Sequence, residues 1–117
     1  MNENREYCKR IAEELENIYN GAAQNEDGES ITLYDYFSDV LDFEYTIDSR
    51  KEYKSVCIWV TLGGPNVWID TSDSCVHLAW GSDRETYLLD YDVRDAIDDI
   101  FSEYYNCWGV TIWALLT

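Results

Sequence analysis

Residues 56–80, VCIWVTLGGPNVWIDTSDSCVHLAW, decide how this chain folds. Their side chains alternate in kind with a period of two, the pattern of strands whose two faces meet different surroundings. In the first run, Val56, Ile58, Val60 and Leu62 share one face, and Cys57, Trp59 and Thr61 share the other. GGPN (63–66) and TSDS (71–74) carry the residue types that close tight turns, because Gly, Pro, Asn, Asp and Ser supply the backbone angles and local hydrogen bonds a reversal needs. Pairing Leu62 with Val67 and Asp70 with Cys75 gives three antiparallel strands. The pleat then places Val67, Ile69, Val76 and Leu78, with Trp80, on the aliphatic face begun by Val56. The opposite face collects Trp59, Trp68 and His77 with Cys57, Cys75, Thr61 and Asp70. In this register Trp68 stands opposite His77, and Trp59 opposite Asp70.

Outward from this sheet the same period continues upstream. FEYTID (43–48) puts Phe43, Tyr45 and Ile47 on one face, and SRKEYK (49–54) is a turn holding Arg50, Lys51 and Lys54. The expected sheet is a four-stranded antiparallel meander, five-stranded if DRETYLL (83–89) joins it. Helical periods bracket it. Cys8, Ile11, Ala12, Leu15, Ile18 and Tyr19 recur at three- and four-residue steps over 3–20, and Gly21 follows as a stop. AAQNEDGES (22–30) is a polar turn region. Thr32 can cap a short helix over LYDYFSDVL (33–41), with Asp35 completing a capping box. Asp90 or Asp92 caps a third helix reaching about Tyr105, with Val93, Ile97, Ile100, Phe101 and Tyr104 inside. The order α-α-β-β-β-β-α predicts one α+β domain over 1–117, three helices packed against the aliphatic face. Residues 104–117 form an uncharged tail, read as an edge strand or an interface segment through which a homodimer could form. Val110, Ile112 and Trp113 of that tail, or a second copy, are candidates to cover the tryptophan face.

Charge narrows the function. The 117 residues hold 24 acids against 8 bases, a formal net charge of −16. Such a chain repels nucleic acid and anionic membranes, whose binding needs Lys and Arg. It suits a protein partner with a basic surface. No secretory leader and no run of about 18 apolar residues is visible, so a cytoplasmic protein is expected. Cys8, Cys57, Cys75 and Cys107 are widely spaced, with no CxxC and a single histidine. That argues for reduced, mostly buried thiols and against a zinc site. The acid clusters DTSDS (70–74) and DYDVRD (90–95) do not match a calcium loop. No cofactor or metal is expected.

Catalytic motifs are equally sparse. TLGGPN lacks the helix and lysine of a phosphate loop, and a hairpin turn accounts for its glycines. Cys75 and His77 lie two apart on one face, the one arrangement from which a thiolate–imidazolium pair could be built. A structural histidine on a half-buried strand is the simpler reading, and no enzyme is expected. The acids are more informative. Helical spacing gathers Asp92, Asp95, Asp99 and Glu103 on one outer strip with Asp98 beside it. Carboxylates so spaced can imitate a phosphate ladder, with Asp35, Asp39 and Asp42 as auxiliaries.

TLGGPNVWIDTSDSCVHLAWGSDRETYLL (61–89), followed by the acidic helix ending DDIFSEYYN (98–106), resembles short acidic proteins encoded in bacterial mobile genetic elements and phages. These carry a segment of the form TLGGPN-aromatic-aliphatic-DT … WG-DR. The resemblance covers residues 30–106 and leaves out the apolar end, GVTIWALLT. It implies no catalytic residue. It implies a setting in which small acidic proteins act against host defences. The expectation is a non-enzymatic binding protein, in its sharpest form a nucleic-acid-mimicking inhibitor of a defence nuclease of the anti-restriction or anti-CRISPR kind. The alternative is an accessory interaction module that uses the Trp59, Trp68 and His77 face or the apolar tail.

Overall fold

A computed structural model describes residues 3–38, 40 and 42–116, with side chains described through Cys107. Eight elements follow in order: α1 (Glu3–Tyr19), α2 (Leu33–Phe37), β1 (Asp42–Ile47), β2 (Tyr53–Thr61), β3 (Asn66–Asp70), β4 (Cys75–Trp80), β5 (Asp83–Leu88) and α3 (Tyr91–Leu116). The strands form one antiparallel sheet in the order β1-β2-β3-β4-β5, so the architecture is the expected α+β meander with DRETYL as its fifth strand.

Alternation explains the core. Val56, Ile58, Val67, Ile69, Val76 and Leu78 lose all solvent exposure. Covering them are α1, through Cys8, Ile11, Ala12, Leu15 and Ile18, and α3, through Val93, Ile97 and Phe101. Helix α1 lies against β4 and β5, α3 lies against β2, and the two helices touch each other. Helix α2 is shorter than its pattern suggested. It begins at the expected capping box: the Asp35 amide donates to the Thr32 hydroxyl, and Asp35 accepts from the Thr32 amide.

The β2–β3 register differs from the expected one. Trp59 stands opposite Trp68 rather than Asp70, Cys57 faces Asp70, and Thr61 rather than Leu62 faces Val67. A β-bulge between Trp59 and Thr61 is the cause. It takes Val60 out of the ladder, as an extra residue on one strand must. From Cys57 to Trp59 the slip is two residues, so both faces keep their expected membership there. The hairpin end does not. Leu62 and Trp80, expected in the core, are 55% and 52% exposed. Trp80 lies over the turn, where a Cβ on Gly64 would collide with its ring.

The edge-strand reading of 104–117 is corrected: α3 runs unbroken to Leu116. Val110, Thr111 and Ile112 favour strands, and Gly109 weakens helices by roughly 1 kcal/mol relative to Ala. A helix already nucleated upstream propagates through them, since each added residue gains a hydrogen bond without a new nucleus. The side chains on which the cover of the tryptophan face and the homodimer expectation rest, residues 108–117, lie outside the described residues.

An aromatic cluster fastens α3 to the sheet's first edge. Phe43 meets Phe101 edge-on at 5.2 Å between centroids, and Tyr45 meets Tyr105 at 5.1 Å. The Tyr105 hydroxyl donates to the Lys51 carbonyl at 2.6 Å. Two phenols of this cluster, 5.9 Å apart, have opposite fates. The Tyr53 hydroxyl donates to Asp98 Oδ1 at 2.6 Å, whereas the Tyr45 hydroxyl is buried with no hydrogen-bond partner among the described residues. Removing a bond to a charged acceptor costs about 1.5 kcal/mol or more, while removing an unsatisfied hydroxyl relieves its desolvation. Tyr53→Phe is therefore expected to lower stability by about 1.5 kcal/mol, and Tyr45→Phe to leave it unchanged or raise it by about 1 kcal/mol. Urea unfolding of the two variants checks this, and shifts of the same sign would refute it.

Candidate functional site

Two surfaces lie on opposite sides of the molecule. The first is the sheet face turned away from the core. Register aligns Asp42, Trp59, Trp68, His77 and Thr86 in one row across all five strands. The next row is Glu44, Cys57, Asp70, Cys75 and Leu88. Cross-strand neighbours on one face stand about 5 Å apart, and the rings follow that spacing. Trp59 and Trp68 are 5.0 Å apart and tilted by 40°, and His77 stacks on Trp68 at 5.2 Å and 14°.

Both nitrogens of His77 are engaged. Nε2 lies 2.7 Å from Asp73 Oδ2, and Nδ1 lies 3.2 Å from the Thr86 hydroxyl. Asp73 is placed by the β3–β4 turn, where its other carboxylate oxygen accepts from the Cys75 amide. The imidazole is thus a fixed end to the ladder. It forms no pair with Cys75, whose thiol instead points to the Asp73 carbonyl at 3.4 Å.

Burial, followed by the charges of Asp70, Glu44 and Asp73, pushes the Cys57 thiol up to about 11. Cys75 is raised too, by burial and then by Asp73 and Asp70. The thiolate is the reacting species. Cys57 is therefore expected to alkylate about a hundredfold more slowly at neutral pH than an ordinary thiol, from a shift of about two pH units. Iodoacetamide labelling followed by peptide mass analysis should mark the exposed Cys107 first. Rapid labelling of Cys57 or Cys75 would contradict this environment.

The second surface is the outer side of the helical layer. Asp92, Asp95, Asp99 and Glu103 of α3 are all exposed. Asp98 is not part of that row: it is half-buried and accepts from Tyr53 on the sheet. Asp95 sits 3.0 Å from Arg94 Nε, whose guanidinium also lies over Tyr91. Beside α3, helix α1 exposes Glu3, Glu6, Glu13, Glu14 and Glu16. The auxiliary acids separate. Asp35 is exposed and committed to its capping box, where the Thr32 amide and then the Thr32 hydroxyl hold its carboxyl below the usual range. Asp42 belongs to the tryptophan row on the other face. Asp39 lies outside the described residues.

A groove of about 320 Å³ between α2, β1 and α3 is lined mainly by Phe37, Phe43, Ile100, Phe101 and Tyr104. Among the described residues, no carboxylate, imidazole or thiol lines it. Among the described residues no group of three or more His, Cys, Asp and Glu side chains could hold a metal ion, and no helix is long and apolar enough to cross a membrane. Comparison with known proteins gives no match to any family model, curated protein or solved structure. Asp73 and Thr86, the partners of His77, were missed from sequence. A signal existed for Asp73, which precedes His77 by four residues across a turn.

Proposed function

We propose that this chain is a cytosolic, non-enzymatic binding protein whose helical layer presents carboxylates to the basic nucleic-acid channel of another protein, as a mimic of nucleic acid. The supporting observation is the unbroken exposed row Asp92, Asp95, Asp99 and Glu103 along α3, flanked by the exposed glutamates of α1. The formal charge of −16 makes a basic partner the favoured one. A defence nuclease is the partner suggested by the likeness to acidic proteins of mobile elements. Competition tests the reading. Restriction endonucleases and RNA-guided nucleases would be titrated with the protein in the presence of a short DNA duplex. A mimic must exclude the duplex from any nuclease it binds. A ternary complex of nuclease, duplex and protein would overturn the proposal, and reversal of the α3 row must abolish the exclusion.

A further inference from the structure

The tryptophan row has chemistry that the helical layer lacks. We infer that the sheet face around Trp59 is a docking site for arginine side chains of an extended basic segment in a protein partner. Trp59 has one flank against Trp68. On its other side, on the edge strand β1, its register partner is the exposed Asp42. One oxygen of Asp42 accepts from the Phe43 amide at 2.8 Å, which restrains the carboxylate. Glu44, also exposed, is the next residue of β1 on this face. An indole with one carboxylate across the strand and a second one row away is complementary to a planar cation. A guanidinium stacks on the ring and forks onto carboxylate oxygens at once, whereas an ammonium does only part of this.

The row is also ordered in advance. Trp68 is held between Trp59 and His77, and His77 is held by Asp73 and Thr86. A surface that is already rigid loses less entropy on binding. Asp70, opposite Cys57 in the next row, and Asp73, at the β3–β4 turn, add negative charge to the face. Arg84, which stands opposite Ala79 at the β4–β5 end, donates to the carbonyls of Gly81 and Asp83 and so is directed at its own turn. The inference shares with the proposed function only the premise of a basic protein partner, and it uses the opposite side of the molecule.

The test compares two probes of equal charge: an acetylated Gly-Arg-Gly-Arg-Gly amide and its lysine counterpart, at ~0.15 M salt. The arginine peptide is expected to bind about tenfold more tightly and to move the indole resonances of Trp59 and Trp68. Trp59→Leu should erase the arginine preference. Asp42→Asn with Glu44→Gln, on exposed positions of an edge strand, should weaken the arginine peptide by about tenfold while leaving the fold intact. Equal affinity for the two peptides, unmoved indole signals, or undiminished binding by the Asp42/Glu44 variant would overturn the inference. Reversal of the α3 row serves as the separating control. It must leave the arginine-to-lysine ratio unchanged, whereas failure of that reversal to alter nuclease competition sinks the mimic reading alone.

Discussion

Between about pH 9 and pH 12 the protein is expected to unfold completely, ahead of any ionisation of its buried phenols in the folded state. Burial, and then neighbouring charge, pushes Cys8 and Cys57 up to about 11 and Tyr36 and Tyr45 up to about 12. Tyr53 is driven up by burial, by its hydrogen bond to Asp98 and by that carboxylate's charge. In the unfolded chain these groups ionise as they do in short peptides, at about 8.5 for Cys and about 10 for Tyr. The folded values lie above the unfolded ones, so the stabilisation is fully present below about pH 8.5 and is lost as pH climbs through the folded values. Each group contributes at most about 1.4 kcal/mol per pH unit, and solvent screening lowers that for those partly exposed. Together they reach on the order of 5 kcal/mol by pH 11, comparable to the whole stability of a small domain. Self-repulsion of a chain already at −16 acts in the same direction. Tryptophan fluorescence, followed against pH, should change in a single transition, and the part of the phenolate absorbance that is lost in Tyr45→Phe should step with it. A difference in phenolate absorbance between the wild type and Tyr45→Phe that develops below the fluorescence transition would show that the cluster of Tyr45 and Tyr53 admits water. Tyr45→Phe should move the transition to higher pH.

The sheet was largely legible because its signal is local. Val56, Ile58, Val67, Ile69, Val76 and Leu78 alternate with polar or aromatic neighbours, and turn residues mark where each strand reverses. That pattern also placed Trp59, Trp68 and His77 on one face, and an even-numbered slip preserved it. The bulge at Val60 leaves no mark, since a bulged Val has the same composition as a paired one. Its consequence, Leu62 in solvent, was therefore invisible. The continuation of α3 was hidden for a different reason. Residues 109–112 favour strand or coil by propensity, and only the upstream helix overrides them. Asp98 shows the limit most clearly. Its charge placed it on the outer strip, but its partner Tyr53 is 45 residues away. A hint existed: Asp98, Phe101 and Tyr105 lie three and four residues apart, which sets Asp98 beside the inner stripe.

The position of Asp98 sharpens the largest functional effect expected of the proposed mimicry. Replacing Asp92, Asp95, Asp99 and Glu103 together by lysine is expected to weaken nuclease binding about a thousandfold at low salt. Each reversal removes one negative and adds one positive charge, so four bring the net charge from −16 to −8. From Asp92 to Glu103 the helix rises about 16 Å, giving one exposed carboxylate per ~5.5 Å. A strand of duplex DNA carries one phosphate per ~3.4 Å, so α3 alone is a sparser ladder. The exposed glutamates of α1, a helix that touches α3, add further carboxylates to the helical layer. Charge pairs at an interface act largely on encounter and are screened by salt. The wild-type association rate should thus fall steeply as salt rises, and the four-lysine variant should show a shallower slope. Asp98→Asn discriminates between charge and architecture. It keeps an acceptor for Tyr53 and lies off the exposed row, so it should change binding by less than about threefold. An Asp98→Asn loss as large as that of the four reversals would place the contact on the α3–sheet seam and end the case for an outward carboxylate ladder.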